Sequence, residues 1–303
     1  SGGAPTALDA RELPTEATDS TALDALAEAV EGAQVLGRVV PEQKRALVQA
    51  LQSRGHTVAM TGDGVNDSLA LKDADLGIAM GNGAPATKAV ARMVLLSGEF
   101  SALPGVVAEG RRVMANTERI ASLFLAKTIY ASLIAVVVAI TAIGYQLTIV
   151  SSLTIGIPAF ALALAPNDRR YRSGFLRRVL TLAVPAGLVA GIMTLAARQW
   201  LALEGAEQAQ VPPAATLVLV VSGLSLLPLT ARPLLGWRLG LVLLMAGAAV
   251  LGVLIPGVRE FFVLAWPDPG TWLTIVVAGS AAVLGIEIVH LVRRRLVGAE
   301  PRD

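Results

Sequence analysis

Cysteine is absent from the 303 residues, which excludes disulfides and thiolate metal sites. Charge is scarce as well: only 16% of residues are Asp, Glu, Lys or Arg, against 54% hydrophobic. With a mean hydropathy of +0.64, the chain is too apolar for one ordinary soluble domain and reads first as a membrane protein. No signal peptide is expected over Ser1 to Ser20, which has neither an apolar core nor a basic flank and reads as a mid-protein segment. The formal charge of +2 and a pI near 9.2 arise mainly from arginines bordering the apolar runs, so no nucleic-acid partner is expected.

The polarity is unevenly spread. Residues 1–119 carry most of the acidic groups, whereas residues 120–296 are dominated by long apolar runs. Crossing about 30 Å of hydrocarbon takes roughly 20 apolar residues at about 1.5 Å rise each. Six segments qualify: Ile120 to Ile143, Leu147 to Ala165, Val179 to Trp200, Ala214 to Ala231, Leu239 to Ile255 and Thr271 to Val292. Arginine and lysine concentrate in short cytoplasmic loops. The loop after the second span holds Arg169, Arg170, Arg172, Arg177 and Arg178, and that after the third has only Glu204 and Glu207. Arg232 and Arg238 follow the fourth span, a lone Arg259 follows the fifth, and Arg293 to Arg295 follow the sixth. This alternation predicts a cytoplasmic soluble region and a cytoplasmic C-terminus in a cell-membrane protein.

Within the soluble region, Thr18 to Ser20 offers a cap for a helix over Ala22 to Val30, and Pro41 suits the first position of a helix running to Arg54. Strands are predicted over Val35 to Val40, His56 to Met60, Leu76 to Met80 and Met93 to Leu96, with helices from about Asp67 and from Pro85 to Ala91. Short strands alternating with helices indicate an α/β domain with a parallel sheet, whose ligands gather where strands end and turns begin. The Gly-rich turn TGDGVND, Thr61 to Asp67, falls there.

In that turn Asp63 and Asp67 stand four apart, and Gly62 and Gly64 let the chain fold tightly enough for both carboxylates to face one point. Such a pair suits Mg²⁺, a hard cation that takes a few carboxylates and completes its shell with water and phosphate oxygens. Asn66 can hydrogen-bond a phosphoryl oxygen. A bare GDG is otherwise common in Asp- and Gly-rich surface turns. The longer string MTGDGVNDSLALKDADLGIAMG, Met60 to Gly81, resembles the hinge motif of P-type ATPases residue for residue, and GRVVPEQK, Gly37 to Lys44, resembles the segment that delivers a lysine to the aspartyl-phosphate. VVAEGRRVMANTERIASLFLAKTIY is similar to the stalk helix that continues into the fifth membrane helix of these pumps, which makes the six spans family helices five to ten. FLAKTIYASL and LTIGIPAFALALAPN are most similar to the bacterial cation-transporting ATPase E type, for which calcium transport has been proposed.

The resemblance implies an HAD-like (Rossmannoid) partial phosphorylation domain and stalk over residues 1–115, a six-helix transmembrane bundle over 116–296 and a cytoplasmic tail over 297–303. It implies Mg²⁺ as cofactor and ATP as substrate of an ion pump, with Asp63 and Asp67 as metal ligands rather than nucleophiles. Thr61, Gly62 and Gly64 then shape the phosphate-facing turn, and Lys44 neutralises charge on the transferring phosphoryl group. The implied partners are the lipid bilayer, the transported cation and the missing N-terminal part of the pump.

Three departures stand out. The DKTGT phosphorylation motif does not occur, nor do segments for the nucleotide-binding and dephosphorylation domains or for the first membrane helices, so the chain alone is expected to bind no ATP productively and to transport nothing. Half a parallel sheet also leaves an edge unpaired, which predicts aggregation of the soluble region when it is isolated. In calcium pumps a carboxylate precedes the Gly-x-Pro of the sixth helix; here Ile155 stands before Gly156-Ile157-Pro158. The remaining candidates at the transport site are Thr128, Ser151, Ser152, Thr154 and backbone carbonyls, since Pro158 cannot bond the carbonyl of Thr154. The alternative is a tolerated kink with hydroxyls bonded to their own helix. Lys127, ~10 Å into the first span, is either a counter-charge in the ion cavity or a snorkelling side chain. Three further readings stay open: a phospholipid-translocating P-type ATPase, a truncated non-enzymatic scaffold and, least supported, a soluble phosphatase of the same fold.

Overall fold

A helix needs its first N–H groups satisfied and its apolar face covered, and the first third of the chain meets both needs with few residues. The computed structural model describes residues 7–15, 19–141, 147–167, 174–262 and 264–297. They fall into two units, Ser1–Val107 and Ala108–Asp303.

In the first unit, helix α1 (Ser20–Val30) is capped by Asp19, whose carboxylate accepts the Ala22 N–H at 2.7 Å. Helix α2 (Pro41–Ser53) starts on Pro41 as expected, and Gln43 at its third position accepts the Val40 N–H at 3.1 Å. Leu26, Ala27 and Val30 of α1 pack against Ala46 and Ala50 of α2, and this core sits over a parallel pair of strands, β1 (Ala7–Asp9) and β2 (Val35–Gly37). Asp9 accepts from Arg11 and Arg38, and its carboxyl is held below the usual carboxylate range chiefly by Arg11.

A second sheet runs β3 (Ala59–Gly62), β4 (Leu76–Met80), β5 (Met93–Leu95), all parallel, with helices α3 (Ser68–Asp73) and α4 (Pro85–Val90) as crossovers. The α/β expectation holds, divided between two small sheets. The strand expected over His56 to Met60 begins three residues later, at Ala59. The physical reason is the Asp75 carboxylate, which takes the Val58 N–H at 2.8 Å in place of a ladder partner. That bond, followed by one from Gln52, lowers the pKa of Asp75. The strand predicted to reach Val40 ends at Gly37, because Arg38 adopts a left-handed φ of 62°.

Helix α5 (Leu103–Thr141), which starts five residues before the second unit and continues into it, is one continuous helix of 39 residues, almost twice the length that spans a bilayer. It is followed by α8 (Phe175–Leu203), α9 (Val211–Ala231), α10 (Trp237–Leu254) and α12 (Pro269–Val297); with α5 these are the five helices among the described residues that are long and apolar enough to cross a membrane. The short α11 (Pro256–Phe261) lies between α10 and α12.

The expected second span, Leu147 to Ala165, is not one regular helix. It divides into α6 (Leu147–Ser151), a π-helical turn over Ser152–Gly156 and α7 (Ile157–Ala163). Pro158 lacks the N–H that Thr154 would need, and the ladder widens by one residue just before it, the Ile157 N–H reaching back to Ser152.

Helix α9 is apolar on every side and is the central, most buried helix; Val218, Leu219 and Leu227 are fully enclosed. Close approach substitutes for a hydrophobic drive inside lipid. On α8 a Cβ at Gly187 would stand 2.6 Å from the Ala126 carbonyl of α5, and one at Gly191 2.8 Å from Leu133. At one end of the bundle the side chains satisfy helix-terminal carbonyls: Asn116 donates to the carbonyls of Ala163 and Ala165, Arg119 to that of Arg232, and Arg238 to that of Pro166. Arg178 pairs with Glu118 at 2.9 Å at the same end. Of the loop arginines singled out in the sequence, Arg169, Arg170 and Arg172 lie outside the described residues.

Candidate functional site

The TGDGVND segment straddles the end of β3. Thr61 and Gly62 are its last strand residues, Asp63 and Gly64 make the turn, and Val65–Asp67 form a 3-10 turn that runs into α3. The Asp67 N–H bonds the Gly64 carbonyl at 3.1 Å, which curls the segment back over its own strand. Asp67 is thereby brought across Gly62, where an added Cβ would meet the Asp67 Cβ at 2.6 Å and Oδ2 at 2.7 Å. Only glycine fits at that position.

Asp67 is buried, at 7% exposure, and its Oδ1 accepts from the Lys44 Nζ at 2.6 Å. Twenty-three residues separate the partners in sequence, and α2 closes the gap because its exposed edge is clamped to the end of α3. Arg45 and Gln49 both reach Asp73, and Gln52 donates to the Asp73 carbonyl and to Asp75. Gln43 anchors the start of α2 to the carbonyls of Ala10 and Leu13. Lys44 therefore sits on a helix fixed at both ends, with its ammonium aimed at the turn.

Asp63 and Asn66 have exposed side chains, and Thr61 is half-buried. The backbone of Asp63 is fixed from the neighbouring loop after β4: the Ala84 N–H donates to its carbonyl at 2.8 Å, and a Cβ at Gly83 would lie 3.0 Å from the Asp63 Cα. Thr87, fully buried on α4, donates its hydroxyl to the Gly64 carbonyl at 2.8 Å. Gly83 and Thr87 are positioning residues that sequence reasoning missed. The signal was present in the GNGAPATK run, Gly81 to Lys88, whose small residues and first-turn proline follow the β4 strand end.

No group of three or more acidic or histidine side chains converges among the described residues. Mg²⁺ needs no such group, being held through one or two carboxylates and otherwise by water and phosphate. Asp63 carries an exposed carboxylate on the turn, and Oδ2 of Asp67 is not engaged by Lys44.

The membrane candidates are distributed differently. Thr154 is buried, donates to the Val150 carbonyl at 2.7 Å, and packs where a Gly223 Cβ would stand at 2.6 Å. Thr128 is exposed and bonds the Phe124 carbonyl at 3.0 Å. Both hydroxyls thus return to their own helices. Ser152 is exposed, Ser151 half-buried and Pro158 buried along the π turn and the start of α7. Lys127 is half-buried on α5, and no carboxylate pairs with it among the described residues.

Residues 43–104 match the haloacid dehalogenase-like hydrolase family. Across nearly its whole length the chain is similar to the calcium-transporting ATPase CtpE of Mycobacterium bovis, at 46% identity over 98% of the chain and 39% of that protein. It is 34% identical to the probable cation-transporting ATPase exp7 of Streptococcus pneumoniae over 76% of the chain, and 33% identical to the probable cation-transporting ATPase F of Mycobacterium tuberculosis over 92%. The chain spans about two fifths of the CtpE relative's length. Its apolar helices and these relatives make it part of a multi-pass membrane protein. With the hinge string folded against Lys44 and the identity extending through both units, the chain belongs to the P-type cation-transporting ATPase family.

Proposed function

We propose that the whole protein is an ATP-driven cation pump and that this chain supplies its Mg²⁺-binding turn, its phosphoryl-facing lysine and six of its membrane segments. The observation that carries this reading is the Lys44 contact with Asp67 at 2.6 Å, beside the end of a parallel strand. When bound between Asp63 and Asp67, Mg²⁺ supplies charge neutralisation to phosphoryl oxygens. Lys44, held by α2, places a further positive charge there, and Asn66 offers an amide donor from the exposed rim of the turn. Gly62 and Gly64 keep the backbone close enough for Asp67 to lie over the strand end. The nucleophilic aspartate and the nucleotide site belong to the part of the protein outside this chain.

The cation path is proposed along α5 and the broken segment 147–163, with backbone carbonyls around the π turn as ligands beside Ser151, Ser152 and Thr154. Pro158 and the widened ladder support this, because they interrupt ordinary helix bonding inside an apolar bundle. Calcium is the proposed cargo, from the printed name of the CtpE relative. The basic end of the bundle, with Arg119, Arg178 and Arg238, is proposed to face the cytoplasm of the cell membrane, as is the first unit. A lipid-translocating reading is favoured by one observation, the half-buried Lys127 without a carboxylate partner among the described residues.

The test uses the whole protein in proteoliposomes. ATP hydrolysis is expected to require Mg²⁺, to rise on adding Ca²⁺, and to pass through an acid-stable, hydroxylamine-sensitive phosphoenzyme. Hydrolysis stimulated by phospholipid and indifferent to Ca²⁺ would support the lipid reading, and absence of any phosphoenzyme would sink both.

A further inference from the structure

A cavity of about 320 Å³ opens within the second unit, away from the arginine-bearing end of the bundle. Its walls come from the N-terminal half of α9, the C-terminal half of α10, the start of α12 and the broken segment at Ile149 and Leu153. Its one hydroxyl, that of Thr216, is spent on the Pro212 carbonyl at 2.8 Å, so the lining offers carbon and two indole rings. Val250, Leu254 and Trp266 form part of the wall and are each more than half exposed, so the cavity reaches the lipid-facing surface.

At its mouth stands one cation. The Arg259 guanidinium lies 5.4 Å from the ring of Trp266 and 3.5 Å from the carbonyl of Val253, both lining residues. Trp266 in turn meets Trp272 edge to face at 6.0 Å, so the aromatic pair joins the charged rim to the apolar interior. Arg259 has no ion-pair partner among the described residues, although Glu260 follows it in the chain and Asp268 lies close in sequence. Asp268 is engaged elsewhere, accepting the Thr271 N–H at 2.7 Å as the cap of α12.

We propose that this cavity is a phospholipid site, with one acyl chain inserted between α9, α10 and α12 and the lipid phosphate on Arg259. Inside a bilayer an apolar cleft gains nothing from the hydrophobic effect, because lipid tails are as apolar as its walls. Filling it restores dispersion contacts that a void forfeits. Selection must then come from the rim, where a guanidinium offers a forked donor set matched to a phosphodiester. Tryptophans at the level of the headgroups fix the depth of the site. The inference needs only that these helices lie in a bilayer and is independent of what the pump carries.

The test is a titration of the whole, delipidated protein in detergent with phosphatidylglycerol brominated on one acyl chain, read by quenching of tryptophan fluorescence. Wild type is expected to show saturable quenching. Arg259→Gln should weaken the apparent affinity by about tenfold. Ala246→Leu with Ala249→Leu, which fills the cavity, should lower the maximal quenching. Brominated diacylglycerol, which lacks the phosphate, should bind wild type as weakly as the phospholipid binds Arg259→Gln, an arm that needs no variant to fold. Quenching that never saturates, or equal affinity for the two lipids, overturns the proposal.

Discussion

Asp67→Asn in the whole protein is expected to lower ATP turnover by about 10²–10³-fold while leaving the fold intact. Asparagine has the shape of aspartate, so the close packing against Gly62 survives the exchange. What disappears is the negative charge that Lys44 pairs with and that the proposed Mg²⁺ would need. The Lys44 side chain is 35% exposed, so its lost ion pair is replaced largely by water and costs about 1 kcal/mol or less. A thermal melt should therefore shift little while steady-state hydrolysis collapses. Asp63→Asn should act in the same direction, because its exposed carboxylate is the second proposed ligand. Activity within a few fold of wild type for both variants would remove the two carboxylates from the chemistry.

The second large effect concerns stability. Gly77→Val should destabilise the first unit by about 3 kcal/mol or more, because a Cβ at Gly77 collides with the backbone carbonyl of Leu71 at the end of α3. Backbone cannot rotate away as a side chain can, and β4 is held between β3 and β5, so the clash must open the crossover or the sheet. Gly37→Ala is the control: its Cβ would meet nothing within 4 Å, and its cost should stay within about 0.5 kcal/mol. Chemical denaturation followed by circular dichroism separates the two. Similar midpoints for Gly77→Val and Gly37→Ala would contradict the packing described for α3 and β4.

Much of this arrangement was legible beforehand, and the exceptions have physical causes. The turn Thr61 to Asp67, the crossover helices and the apolar spans announce themselves through glycine, proline and long hydrophobic runs. The strand β1 did not, since Ala7–Asp9 has no alternation to read and gains its partner from β2 nearly thirty residues away. Nor did the clamp between α2 and α3: Arg45, Gln49 and Gln52 look like an ordinary solvated helix face until Asp73 and Asp75 are brought opposite them. The π turn escaped because an apolar run reports length and not ladder geometry, although Pro158 marked the place. The helical stretch before Ile120 is polar, so hydropathy set the span limit there, and only the stalk resemblance carried the helix back to Val106, three residues inside its start at Leu103.

Asp63 and Asp67 are proposed to grip Mg²⁺ together beside Lys44. The most direct measurement is a crystal structure of the whole protein grown with Mn²⁺ and a fluoride mimic of the phosphoryl group, with the metal located by its anomalous scattering. The predicted result is one peak within roughly 2.3 Å of a carboxylate oxygen from each aspartate, with the Lys44 ammonium turned toward the mimic. A metal bound without either aspartate, with Lys44 still paired to Asp67, would contradict it.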